Sequence, residues 1–321
     1  MWWRKRHTPT DAAPQAPRPE RLARVQTLAE QALALPSGGM RRWNTLAPLG
    51  EADLDDVAAV ASAFLTGDDP PRAVLAGEML DTAIARHGFR GSRPSADTTA
   101  ALRLLLEPAC HPDQPPDLIV AALSPLAMLE GTHPSLLQPL VSHPDPKVRA
   151  IALRLWANLL TDDDDAPPEH VLNATLDMLT DALDHDPAPQ VRAEAAGALD
   201  MLHLEATQWP NHRGSSRIYV RLAGFRHDPL PEVRAQVLSA ALREHVSGAV
   251  DQLLTELADP DPHWEFVNCI QPGLPNPTDL RKALTRLQQT GWPDRSCDPD
   301  TYPEPDDRRQ LLQQALTDCQ P

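Results

Sequence analysis

The sequence predicts an all-α protein, a right-handed α-solenoid of about six helix pairs. Three observations predict it. First, Pro-x-Pro stands four times at the mouth of a helical pattern: Pro144–Pro146, Pro187–Pro189, Pro229–Pro231 and Pro260–Pro262. The second prolines are 43, 42 and 31 residues apart, a period at which each unit buries its apolar face only against its neighbours. Second, apolar residues recur every three or four positions along most of the chain, and no segment alternates convincingly with a period of two. Third, aromatics make up only 4% of the 321 residues, so the core is built mainly of Ala, Leu and Val. Such small side chains suit closely packed helices and give a sheet little to hold.

The elements follow in order. Residues 1–20 are rich in Pro, Ala and charge and read as a disordered lead-in. Residues 21–50 form a capping helix and loop: Leu22, Val25, Leu28, Ala32 and Leu35 make one stripe, and Pro36-Ser-Gly-Gly39 closes it. Residues 51–289 form the solenoid. Its first helices are Leu54–Leu65 and Ala73–His87. Helix pairs follow at 95 or 97 to 106 with 118–129, 135–141 with 147–160, 170–183 with 190–202, 217–225 with 232–244, and 249–257 with a short or irregular 264–270. Residues 279–289 make a last helix. Residues 290–321 form a polar tail whose 306–319 stretch carries Leu311, Leu312 and Leu316 and suits a capping helix.

The repeated motif has a physical reading at each position. In Asp228-Pro-Leu-Pro-Glu-Val-Arg-Ala the Asp can accept from free amides at the start of the next helix, where its charge also suits the dipole. The prolines stop the preceding helix, and the second fits the first helical position, where no donor is lost. Val233, Val237, Ala240 and Ala241 form an apolar stripe, matched by Val191, Ala195, Ala198 and Leu199 one repeat earlier. An Arg lies six residues after the Asp in two copies (Asp186 and Arg192, Asp228 and Arg234), which predicts a charge ladder between stacked repeats. In the first copy His143 replaces the Asp. In the last, Trp264 and Glu265 replace Val and Arg, so regular stacking is expected to end there.

This motif on the second helix of a pair resembles the HEAT-repeat family. The resemblance is closest over residues 140–245 and extends more loosely to 97–132, 249–289 and 51–88. It implies an armadillo-like fold and, as in most such proteins, a protein-binding scaffold or adaptor. Deoxyhypusine hydroxylase, which resembles HEAT repeats, uses His-Glu dipeptides for iron; this chain has only the reversed Glu169-His170 and Glu244-His245. The turn histidines His111, His143, His185 and His227 fall about one repeat apart, too far for shared ligation, so no metal and no cofactor is expected. HEAT-like enzymes or accessories of the alkylpurine DNA glycosylase or bilin lyase type are the alternative. A net charge of −16 opposes phosphate backbones, and no Lys/Arg stripe runs along the helices.

The sequence therefore favours a non-enzymatic scaffold in the cytoplasm. Nucleic acid is an unlikely partner on charge grounds; a protein with a basic surface or segment suits the acidic chain better. No stretch approaches the roughly 20 apolar residues of a membrane span. The four cysteines show no CxxC pair and read as reduced thiols. Partner contacts are expected on the second-helix surfaces, at Arg154, Glu194, Gln236 and Arg243, and at loop residue Trp209. The Met1-Trp-Trp-Arg-Lys-Arg6 segment carries the one basic cluster.

Overall fold

The computed structural model describes residues 18–37, 40–89, 96–129, 134–161, 167–209, 214–294 and 305–319. The N-terminal Trp-Trp-Arg-Lys-Arg, the acidic run Asp162–Asp165 and Cys297 lie outside the described residues. The described residues form fifteen α-helices and no strand. They are α1 (Arg18–Leu33), α2 (Met40–Leu46), α3 (Leu54–Leu65), α4 (Pro70–Phe89), α5 (Ala96–Ala109), α6 (Pro116–Ala127), α7 (Pro146–Thr161), α8 (Glu169–His185), α9 (Pro189–Ala206), α10 (Ser215–Ala223), α11 (Pro231–Arg243), α12 (Ala249–Glu256), α13 (Trp264–Asn268), α14 (Pro277–Gln289) and α15 (Pro305–Asp318). The chain divides into two compact units, residues 1–155 and 156–321, with the boundary inside α7.

In the first unit, α3 packs on α4 and α5 on α6, and the second helices α4 and α6 pack on each other. Gly77 permits that approach: a Cβ there would stand 2.6 Å from the Ala121 carbonyl carbon and 2.8 Å from its Cβ. Buried Val57, Ala61, Leu75, Met79, Leu80, Leu102, Leu106, Ile119 and Leu123 make the core. Asp56, 1% exposed, ties α3 to α1 through Arg21 at 2.6 Å and Arg18 at 3.3 Å.

In the second unit α8 packs on α9 and α10 on α11, and α9 packs on α11, repeating the stacking of second helices. The stripes read from the motif are buried throughout: Val191, Ala195, Ala198, Leu199, Val233, Val237, Ala240 and Ala241. Beyond them, α15 buries Leu312 and Ala315, and Cys319 follows them into one core with Phe266, Leu284, Leu287 and Trp292. Arg308 lies over the Trp292 ring at 5.3 Å, and the indole N–H donates to the Pro262 carbonyl at 3.2 Å.

The proline-led turns work as local devices. α7, α9 and α11 each begin on the second proline of the motif. The Asp carboxylate closes the turn by accepting from the amide two residues on: Asp186 accepts from Ala188 at 2.9 Å, Asp228 from Leu230 at 2.9 Å, and Asp259 from Asp261 at 2.7 Å. His143 substitutes for that carboxylate, because its Nδ1 accepts from the Asp145 amide at 3.1 Å. Its Nε2 therefore carries the proton and donates to the Pro112 carbonyl at 3.1 Å. The Arg staples the same turn from behind. Arg149 donates to the His143 and Pro144 carbonyls, and Arg234 to those of Asp228 and Pro229. In the second unit these charges join into the expected ladder, Arg192 reaching Asp228 at 3.8 Å and Arg234 gripping Glu256 through two bonds of 2.9 and 3.1 Å.

Two expectations fail. The helix expected over 135–141 is only a 3-10 turn at Pro134–Leu136 followed by irregular turns. Pro139 removes an amide and crowds the carbonyl four residues back, yet Leu137 and Leu140 still reach the core. Conversely, α2 forms where a loop was expected. Seven residues cannot hold a helix by propensity, and this one is fixed by burial of Leu46 and Arg42. The fourth motif copy departs as expected: Pro262 precedes α13 rather than opening it, and α13 has only five residues.

Candidate binding face

The first unit carries a groove of roughly 450 Å³ on its second-helix side. Arg42 and Trp43 come from α2, Val74, Glu78 and Asp81 from α4, Asp117, Val120, Ala121 and Ser124 from α6, and Lys147, Ile151 and Arg154 from α7. The helical period explains the set. Positions 74, 78 and 81, positions 117, 120, 121 and 124, and positions 147, 151 and 154 each recur every three or four residues along one face. Close contact of α4 with α6 at Gly77 brings two of these rows side by side.

Ties between adjacent helices shape the lining. Arg42 Nε lies 2.7 Å from the Glu78 carboxylate, and Lys147 Nζ 3.3 Å from Asp117. Ser124 Oγ donates to Asp81 at 2.5 Å. Burial pushes the Asp81 carboxyl above its ordinary range, opposed by the Ser124 hydrogen bond and the charge of Arg154. Between these polar groups lie Val74, Val120, Ala121 and Ile151, and Trp43 stands at 46% exposure. Arg154, expected as a contact residue, lines this groove and is exposed.

In the second unit the structure gathers Glu194, Gln236 and Arg243 onto the neighbouring helices α9 and α11, with Glu265 of α13 beside them. Gln236 donates to Glu265 at 3.0 Å. Arg243 pairs closely with Asp200 and Ser239, and its Nε donates to His203 Nδ1 at 3.2 Å. The opposite nitrogen of this fully buried imidazole donates to Glu244 at 2.8 Å. Glu265 titrates at about 7 because it is buried and faces Glu232; Glu194 and Asp200 add to the effect, and Gln236 opposes it. The row binds α9, α11 and α13 to one another. Arg243 is thus engaged within the protein.

Trp209 is 4% exposed and sits beside Gly214, whose φ of 96° opens α10. Its ring is packed inside the protein and offers no exposed face to a partner. Trp156 donates through Nε1 to the buried Thr175 at 3.1 Å. The thiols of Cys110, Cys269 and Cys319 are free and buried, and burial pushes Cys110 up to about 12. Trp43 and the α2 contribution to the groove were missed in the sequence. The one available signal was Arg41-Arg-Trp43, an aromatic beside two cations.

No protein-family model matches the chain, and neither does any curated protein sequence. Among solved structures, that of YibA from Escherichia coli is 14% identical over 96% of this chain and 98% of its own, with a TM-score of 0.48. Kap121p bound to Ste12p is 15% identical over 96% of this chain, at a TM-score of 0.48, and the match spans only 33% of Kap121p. An engineered protein is 17% identical over 92% of this chain and 78% of its own, at a TM-score of 0.34. No described helix is long and apolar enough to cross a membrane. Helices paired in chain order, second helices stacked on each other and proline-led turns closed by Asp and Arg make the chain an all-α protein of HEAT-like solenoid repeats.

Proposed function

We propose that the chain is a non-enzymatic polypeptide-binding module that receives its partner in the groove of the first unit. The observation that carries this reading is the groove itself, with its mixture of apolar floor, polar walls and exposed Trp43. Few, placed polar groups around an apolar surface give orientation and affinity together. Tryptophan at such a rim contributes large contact area at low entropic cost. The inter-helix ties hold the walls in place before a partner arrives, so little ordering cost falls on binding.

The net charge of −16 favours encounter with a basic partner at long range. The groove is balanced, however: Arg42, Lys147 and Arg154 match Glu78, Asp81 and Asp117. Charge thus supports steering by the whole surface, and the groove supplies contact.

The test fills the groove. Val120→Arg places a long cation in its middle, while Val220→Arg alters an exposed position on α10 in the other unit. Affinity capture from the source extract, quantified by mass spectrometry, should recover one partner with the parent and with Val220→Arg. Val120→Arg should lose it at unchanged melting temperature. Equal recovery with all three would overturn this reading.

A further inference from the structure

The turn before α7 departs from its three counterparts in one residue. Asp186, Asp228 and Asp259 close theirs through a carboxylate oxygen, which accepts at any pH near neutrality. His143 closes the α7 turn through Nδ1, which accepts from the Asp145 amide at 3.1 Å. Nε2–H of the same ring donates to the Pro112 carbonyl at 3.1 Å, so the imidazole joins the start of α7 to the α5–α6 connection. The residue is 7% exposed. The Nδ1 bond needs the neutral ring. A proton there turns the nitrogen into a donor facing the Asp145 N–H, and it puts an imidazolium where little water reaches. Histidine is the side chain whose charge ordinarily changes between about pH 5 and 8. Charged groups stand on both joined elements. On the turn, Asp145 accepts from the Lys147 amide at 2.8 Å, and Arg149 donates to the His143 carbonyl at 2.8 Å. On the α5–α6 connection, His111 and Asp113 flank Pro112 and lie 3.4 Å apart. From α6, Asp117 holds Lys147 at 3.3 Å. Carboxylates and cations are thus present on each side, and the reversed bond at Nδ1 sets the direction of the response.

We infer that His143 is an acid-operated latch: below neutrality its protonation drives the ring out of the turn, the Asp145 amide and the Pro112 carbonyl lose their partner, and the start of α7 loosens. The aspartate-closed turns before α9 and α11 hold over the same interval. Only the neutral ring fits the closed turn, whereas the open turn admits the proton. The latch is therefore closed at pH 7.5 and is lost as pH falls. α7 carries Lys147, Ile151 and Arg154 along one wall of the groove, so opening its first turn alters that wall. The latch belongs to the chain alone and stands whether or not the groove receives a polypeptide.

The experiment follows the full chain from pH 7.5 to pH 5.5 by residue-resolved amide hydrogen exchange, corrected for the intrinsic pH dependence of exchange, together with the imidazole nitrogen shifts of His143. In the parent, the Asp145 and Lys147 amides should lose protection by about tenfold or more, since one proton allows up to roughly tenfold per pH unit. The Ala188 and Leu230 amides, which aspartates hold, should stay level. Over the same interval the ring should pass from the Nε2–H tautomer to the imidazolium. His143→Asn keeps an acceptor for the Asp145 amide and does not titrate, so its protection at Asp145 and Lys147 should stay level. Protection that stays level in the parent, or that falls equally in His143→Asn, would overturn the latch. So would a parent ring that charges while the Asp145 amide keeps its protection, a result that needs no variant to fold.

Discussion

At Glu265 a carboxylate stands where the three earlier repeats carry arginine, and the substitution reverses the local pH dependence. Its folded pKa of about 7 exceeds the ordinary 4.5, so the folded state holds the proton longer. Stability is then fully present below the ordinary value, falls as pH rises through the interval, and levels off above 7. The loss amounts to roughly 3 kcal/mol. Glu265→Gln should raise the melting temperature by several degrees at pH 8 and leave it unchanged near pH 4.5. An equal effect at both pH values would place the cause elsewhere. Two glycines give opposite expectations by the same reasoning. Gly77→Ala drives a methyl into the Ala121 backbone and should cost about 3 kcal/mol. Gly197→Ala, within α9 with nothing inside 4 Å, should stabilise by about 0.5–1 kcal/mol. Thermal melts of the pair check both.

The element scale is that of the turn. Aspartate or histidine closes it, proline opens the next helix, and arginine staples the carbonyls while reaching the neighbouring repeat. Arg234 alone makes two carbonyl bonds and a two-point grip on Glu256 and lies 5.8 Å from the Phe266 ring. Arg234→Ala should cost about 2–3 kcal/mol, since it leaves partly buried Glu256 unpaired. Arg309→Ala, removing an exposed pair with Asp294, should leave the melting temperature within error. This layer was legible in the sequence because Asp186, Arg192, Asp228 and Arg234 repeat at fixed offsets. The role of His143 was not, since an imidazole nitrogen replaces a carboxylate oxygen only in one tautomer and one rotamer. The break at Pro139 was written in the chain and outweighed by leucine periodicity. Helix α2 has no periodic signature, and only contacts with α1 and α4 reveal it.

For the molecule, the aspartate, proline, valine and arginine that recur in the motif are engaged in turns, helix starts, core and ladder. The groove arises where the repeats differ, from α2, α4, α6 and α7 of the first unit. Arg154 was readable as an exposed second-helix position, because the 3.6-residue period sets it across the helix from buried Val148 and Ala152. Trp43 and Arg42 were not, since they join the groove through a short helix that tertiary contact alone stabilises. The acidic charge belongs to the whole surface and speaks to encounter rather than fit. Backbone hydrogen exchange on the full chain, with and without its captured partner, tests this division most directly. Added protection should concentrate in 74–82 and 117–124, with 215–223 unchanged; protection confined to the second unit would remove the groove as the binding site.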